Sequence, residues 1–310
     1  NCSMETTKEN STQVILGLNW HEDTPMIRFR IGSEATLSNA PALNSKLHYR
    51  ITPESKRFCL GHIAMTDGGS TYKGCAGKPQ KGRKCPKCTS ADARYAANLH
   101  HAHIKNMADL PSEFQRHMEQ PNYLYLASFG DGSMKVGTTT SHRKERRLQE
   151  QGALWAIVLA KTLDGFAVRR LEDLVTTELS IQQAVSTKKK ITGLLHPIER
   201  KQAKENLDLA RKEVEELLLS VENITCDIVG IEWENKALKS ETWKNVHLYP
   251  RDLSSGAHLL RIVDVIGRIG ALVPEDSSDV FIADLDTLFG IELEIGSFPT
   301  EDLLIQDALF

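Results

Sequence analysis

The chain has 310 residues, with 38 Lys and Arg against 41 Asp and Glu for a formal net charge of -3. That length favours two or three domains over one core. Its 40% apolar and 25% charged content is ordinary for a globular protein, and no apolar run is long enough for a membrane helix, so a helical membrane protein is excluded. The opening residues, Asn1-Cys2-Ser3-Met4, have neither the basic patch nor the apolar run of a signal peptide. Met4 is therefore the candidate start, Cys2 is set aside, and a soluble cytoplasmic protein is expected.

Charge is distributed unevenly. Lys73, Lys78, Lys81, Arg83, Lys84, Lys87 and Arg94 crowd one segment, and His142, Arg143, Lys144, Arg146 and Arg147 form a second basic run. No Lys or Arg follows Arg268, whereas Glu275, Asp276, Asp279, Asp284, Asp286, Glu292, Glu294, Glu301, Asp302 and Asp307 do. A polyanion such as nucleic acid is thus expected to bind the first half, with Lys84, Lys87, Arg143 and Arg146 as candidate phosphate contacts. The plainer alternative is that both runs are solvated surface.

From Val14 to Ile51, period-two stretches such as Met26 to Ile31 and Leu47 to Ile51 predict half-buried strands. Next comes a Gly-, Lys- and Pro-rich stretch carrying Cys59, Cys75, Cys85 and Cys88. Without a secretion signal, such a cluster reads as metal ligation before disulfides. Thiolates suit tetrahedral zinc, the Cys85-Pro86-Lys87-Cys88 turn places two sulfurs on one ion, and nearby lysines favour the deprotonated thiols. His62, three residues after Cys59, is an alternative to Cys75 as ligand. Four protein ligands would close the coordination sphere, so a structural zinc is expected rather than a catalytic metal or redox thiols. Ala91 to Met107 reads as a polar helix, and the cluster His100-His101-Ala102-His103 offers His101 and His103 as further ligands, although an exposed helix face accounts for them too.

Pro121 opens a new segment. Strands are predicted over Tyr123 to Ser128 and Ser133 to Thr138, joined by Gly130-Asp131-Gly132. A helix follows from about Ser141 to Gln151, where Gly152 stops it, then a buried strand over Leu154 to Ala160. Asp164 is a plausible N-cap for the next helix, which has Val168, Leu171, Val175 and Leu179 at helical spacing. Glu172 falls on that apolar stripe, where a carboxylate needs an ion pair, with Arg169 or Lys135 as partner, or a metal. Lys188 to Lys190 mark a break, and His196 to Val221 reads as a long charged connector helix. Beyond it, Ile228 to Trp233, Val246 to Tyr249, Leu259 to Ile266, Val280 to Ala283 and Ile291 to Ile295 read as strands.

The order strand, turn, strand, helix, strand, helix and its residues resemble the GIY-YIG nuclease superfamily, in the branch where Lys replaces the tyrosine of the second signature. Tyr123-Leu124-Tyr125 stands for the first signature and Lys135-Val136-Gly137 for the second. Arg147 takes the place of the helix arginine, with Arg143 and Arg146 as alternatives, and Glu172 that of the metal-binding glutamate. The match covers fewer than sixty residues; the whole chain also resembles an uncharacterised prokaryotic family built around such a core. The resemblance implies a metal-dependent endonuclease acting on DNA, including structured, damaged or single-stranded forms. In it, Glu172 would hold Mg²⁺ or Mn²⁺, Arg147 would stabilise charge on the phosphate, Tyr125 would serve in proton transfer, and Lys135 would lower the pKa of Tyr125 or contact the phosphate. The alternatives are a non-catalytic nucleic-acid-binding module and a small-molecule enzyme reusing the core.

The expected fold class is α+β. Its segments are a β-rich N-terminal part over 1–58, a zinc-binding part with a helix over 59–120, a core with a three-stranded sheet over 121–190, a connector helix over 191–225 and a β-rich acidic domain over 226–310.

Overall fold

A computed structural model of the chain describes residues 11–32, 36–66, 69–101 and 104–300. Cys2, Met4, His103, Glu301, Asp302 and Asp307 lie outside the described residues. In chain order the elements are β1 (Ser11–His21), β2 (Thr24–Ile31), β3 (Ser38–Pro41), β4 (Lys46–Ile51), β5 (His62–Thr66), β6 (Gly69–Lys73), α1 (Pro86–Leu99) and α2 (Ser112–Met118). They continue with β7 (Asn122–Ser128), β8 (Met134–Thr140), α3 (Lys144–Gln151), β9 (Trp155–Thr162), α4 (Gly165–Leu179), α5 (Thr187–Leu195), α6 (Arg200–Leu219) and β10 (Cys226–Glu234). The last are β11 (Val246–Leu248), β12 (Gly256–Ile266), β13 (Ile269–Pro274), β14 (Val280–Asp284) and β15 (Glu292–Ile295). The class is α+β.

The described residues divide into two compact units. The first draws on Asn1–Gly61, Gly74–Cys85 and Ser240–Phe310. Its frame is a nine-stranded sheet in the order β11-β14-β13-β12-β4-β15-β1-β2-β3. The expected separation of a β-rich N-terminal segment from a β-rich terminal domain gives way here, because β15 pairs with both β1 and β4 while β4 also pairs with β12. Either strand set alone would leave an open edge of unpaired backbone groups, and interleaving satisfies both. Leu47, Tyr49, Leu260, Ile262, Leu272, Phe281 and Leu293 pack in a common core. Part of the acidic excess is neutralised inside this unit, since Asp286 pairs with Arg83 at 2.6 Å and Arg268 at 3.0 Å, and Glu294 with Arg50 at 2.6 Å.

The second unit draws on His62–Lys73 and Pro86–Lys239. Its main sheet has four strands rather than the expected three, in the order β10-β9-β7-β8, because β10 returns to pair with β9 instead of joining the terminal domain. The segment expected as a connector, α6, packs against β7, β9 and α4, burying Ala203, Leu207, Ala210, Val214 and Leu218. Its apolar stripe needs a partner surface, and the sheet supplies one. Lys188 to Lys190, expected at a break, lie in α5, which starts where the Ser186 side chain accepts from the Lys189 backbone N–H at 3.3 Å. The α3 helix ends at Gly152, and Asp164 caps α4 by accepting from the Ala167 N–H at 2.7 Å.

Lys190 of α5 donates to the Gln151 backbone carbonyl at 2.7 Å, and the far end of the helix is fixed by a glycine pair. A methyl group placed on Gly193 would strike the backbone of Gly130 and Asp131, and one on Gly130 would strike Gly193. Helix propensity alone predicts that Gly193→Ala stabilises by up to about 1 kcal/mol. Backbone contact predicts the opposite sign, a loss of roughly 2 kcal/mol. Thermal unfolding of the variant is expected to show the loss, as a melting temperature several degrees lower.

Candidate functional site

The four cysteines meet. The sulfurs of Cys59, Cys75, Cys85 and Cys88 all lie within 4.8 Å of one another, and those of Cys75 and Cys85 are 3.7 Å apart. A tetrahedron of about 2.3 Å metal–sulfur bonds has edges of about 3.8 Å, so this group can hold a metal such as zinc. Backbone N–H groups are aimed at the sulfurs: Gly61 and Cys85 donate to Cys59 Sγ at 3.4 and 3.2 Å, and Gly77 donates to Cys75 Sγ at 3.3 Å. Such donors favour thiolates over thiols. The choice between Cys75 and His62 falls to Cys75, for His62 stands one step outside, its Nδ1 3.4 Å from Cys88 Sγ. A ring N–H there supports the thiolate rather than replacing a ligand.

The second constellation is a cavity of about 310 Å³ in the second unit. Tyr125, Lys135, Arg147 and Glu172 all line it. The strand register explains the first two: Tyr125 faces Gly137 and Ala127 faces Lys135 across β7 and β8, and directly opposed residues share a sheet face. Gly137 is required because the Tyr125 ring lies where a side chain of any other residue would begin. The Gln151 side-chain amide then joins strand to helix, donating to Tyr125 Oη at 2.9 Å while its oxygen accepts from Arg147 Nε at 2.9 Å and Nη2 at 3.1 Å. Of the three arginines on this basic stretch only Arg147 lines the cavity; Arg143 and Arg146 pair with Glu150 at 3.3 and 2.8 Å. Tyr123, the other tyrosine of the first signature, instead lies under Lys144 Nζ, 4.3 Å from its ring centre.

Glu172 is 6% exposed and is met by Arg169 Nη1 at 2.6 Å. Arg169, one of the two partners the sequence offers for Glu172, completes the polar wall with Asp173, Gln183, His100 and His101, which the sequence reading does not place with Tyr125. The spacing of Arg169 and Glu172 on α4 was the available signal for their pairing. His100 Nδ1 lies 3.4 Å from Arg169 Nη2. A guanidinium only donates, so the imidazole meets it neutral. The residue is largely open to solvent, yet withdrawal of the ring from water, with Arg169 and Arg147 beside it, takes its pKa down to about 4, the direction these cations require.

Lys135 is 7% exposed, and among the described residues its ammonium makes no hydrogen bond or ion pair. Burial first, then Arg147, lowers its pKa to about 8, with Glu172 acting in the opposite sense. The expected tuning of Tyr125 by Lys135 does not hold. Burial raises the Tyr125 pKa, and the groups that pull it down are Arg147 and Gln151. The lysine nitrogen is 6.0 Å from the ring centre. Tyr125 is therefore a neutral phenol at physiological pH, one that can donate a proton in a hydrogen bond but is poorly suited to remove one.

Three cations face one paired carboxylate and Asp173, so the cavity carries a local surplus of positive charge shielded from bulk water. Such a surplus suits an anion. The α+β fold thus carries a four-thiolate group that can hold a metal and a cavity with surplus positive charge. The chain belongs to the family described as "Protein of unknown function (DUF2797)", which matches residues 48–251, more than half of its length. No curated protein and no solved structure matches it. Among the described residues no helix is long and apolar enough to cross a membrane.

Elemental analysis of the native protein is expected to find one equivalent of a thiophilic metal such as zinc, and Cys85→Ser with Cys88→Ser to lose it and to lower stability, because ligand binding energy here is folding energy. Lys135 gives a test of opposite sign. Its folded pKa lies below its unfolded one, so its charge opposes folding at neutral pH, and this cost disappears as pH rises from about 8 toward the unfolded value. Lys135→Met is expected to stabilise the chain at pH 7 by roughly 2 kcal/mol, an advantage that shrinks above pH 8 in denaturant titrations.

Proposed function

We propose that the chain acts on nucleic acid, taking a phosphodiester of DNA into the cavity and hydrolysing it with one divalent cation. The observation that carries this reading is the convergence of Tyr125, Lys135, Arg147 and Glu172, far apart in sequence, on one cavity with surplus positive charge. The resemblance to the GIY-YIG nucleases supports it, since those residues stand at that superfamily's signature positions. A Mg²⁺ or Mn²⁺ ion fits only in company. Such hard cations take one or two carboxylates and keep waters and substrate oxygens as their other ligands, and Glu172 is one such carboxylate. When bound, the cation would supply an acidic water and polarise the phosphoryl oxygen.

The chain's own groups do the rest. Arg147, held by Gln151, and Lys135, which makes no hydrogen bond or ion pair among the described residues, stabilise the charge that grows on the phosphoryl oxygens in the transition state. Burial strengthens both effects. The Tyr125 hydroxyl accepts from the Gln151 amide N–H and lies within reach of its oxygen, and on substrate binding it turns its hydrogen to a phosphate oxygen or the leaving oxygen. The zinc of the four-cysteine group is structural in this reading, because four thiolates leave no position for substrate. Lys84 and Lys87, near that group, add sequence-independent attraction for the DNA backbone.

A second reading is favoured by one observation, the 2.6 Å pair of Arg169 with Glu172. A carboxylate occupied by a guanidinium suits a module that binds nucleic acid without cutting it. Cleavage assays on linear, branched and single-stranded DNA with Mg²⁺ or Mn²⁺ separate the two. Hydrolysis is expected, with Glu172→Gln abolishing it while fold and DNA affinity persist, and with Arg147→Ala slowing it by about a hundredfold or more. Tight binding with no cleavage of any substrate would make the binding module the correct account.

A further inference from the structure

Glu172 sits in a contradictory position. It is the cavity's buried carboxylate, yet its oxygen is bonded to Arg169, and the wall also carries the cations Lys135 and Arg147 against one further carboxylate, the less buried Asp173. A divalent cation entering alone would have to displace a guanidinium and then sit among like charges. A phosphate entering alone meets no such obstacle, because among the described residues Lys135 makes no hydrogen bond or ion pair and Arg147 is bonded only to neutral groups, the Gln151 amide and the Tyr125 hydroxyl.

We propose that the pair of Arg169 and Glu172 is a latch that makes cation binding conditional on prior binding of a phosphodiester. The inference rests on the hydrolytic reading of the cavity. Arg169 has five N–H donors in a planar fork and lines the same wall as the anion site, so an arriving phosphate offers it a charged acceptor. His100 holds the other side of the guanidinium through Nδ1 and limits how far it must swing. Once Arg169 turns to the phosphate, Glu172 is free, and the added negative charge offsets Lys135 and Arg147. Cation and phosphate then bind cooperatively, and by linkage each raises the other's affinity by the same factor. Arg169 is on this account a positioning residue that prevents futile metal loading.

The test is Mn²⁺ binding to the zinc-loaded full chain, read by electron paramagnetic resonance, with and without a short single-stranded phosphorothioate oligonucleotide, using Glu172→Gln as background. The wild type is expected to bind Mn²⁺ at the Glu172-dependent site at least tenfold more tightly with the oligonucleotide present. Arg169→Met should bind Mn²⁺ alone at least tenfold more tightly than wild type and lose most of the coupling, whereas Arg169→Lys, which keeps a cation beside Glu172, should retain the exclusion. Equal Mn²⁺ affinity with and without oligonucleotide in the wild type would overturn the latch and leave the hydrolytic reading standing. Absence of Glu172-dependent Mn²⁺ binding in every arm would overturn both.

Discussion

Two cations, Lys135 and Arg147, line one cavity with no carboxylate partner among the described residues, and several contacts of the second unit hold them there. Holding a buried ammonium unpaired opposes folding, so the surrounding contacts must offset it. The Tyr125 ring lying over Gly137 fixes the floor, Gln151 fixes Arg147 to that ring's hydroxyl, and Lys190 binds the Gln151 carbonyl from α5 at 2.7 Å. The α5 helix in turn is held against the hairpin by Gly130 and Gly193. The only buried carboxylate in the cavity is already committed to Arg169. Each contact removes a way in which the cavity could neutralise itself.

The four-cysteine group solves a different problem. Its segment is rich in Gly, Lys and Pro and has few apolar side chains to bury, so packing alone could not fix its backbone. Thiolates drawn to one point supply what a core would have supplied, and the N–H groups of Gly61, Gly77 and Cys85 fix where those thiolates sit. A metal held by four sulfur ligands there would have no open position left for substrate.

Much of the second unit could be read from local patterns. The hairpin from β7 to β8, the stop at Gly152, the cap at Asp164 and the burial of Glu172 all follow from periodicity or from a single residue type. The cysteine quartet followed from ligand chemistry. What escaped is what depends on distant partners. Nothing in Cys226 to Glu234 reveals that it pairs with β9, and nothing in Val14 to Ile51 reveals that strands from the far end of the chain complete its sheet. The β13 strand was also missed, although the turn Gly267-Arg268 between two apolar runs is a hairpin signal in plain view. His100 was beyond reach for another reason: it is a polar residue just past the end of α1, and only the tertiary fold brings it to the cavity wall.

The interleaved sheet has a consequence for how the protein is made. Residues Ser11 to Val14 pair with Glu292 to Ile295, and β4 waits for β12, about 200 residues later. At roughly 5–20 residues per second on the ribosome, β4 stands without β12 for roughly ten to forty seconds, and β1 waits longer still for β15. During that time the whole second unit, whose sheet and helices lie within one continuous stretch, can emerge and fold. β1 and β4 meanwhile present apolar faces and open edges to neighbouring nascent chains. Assembly is therefore ordered from the inside of the sequence outward, and the early strands are where a chaperone would find its purchase.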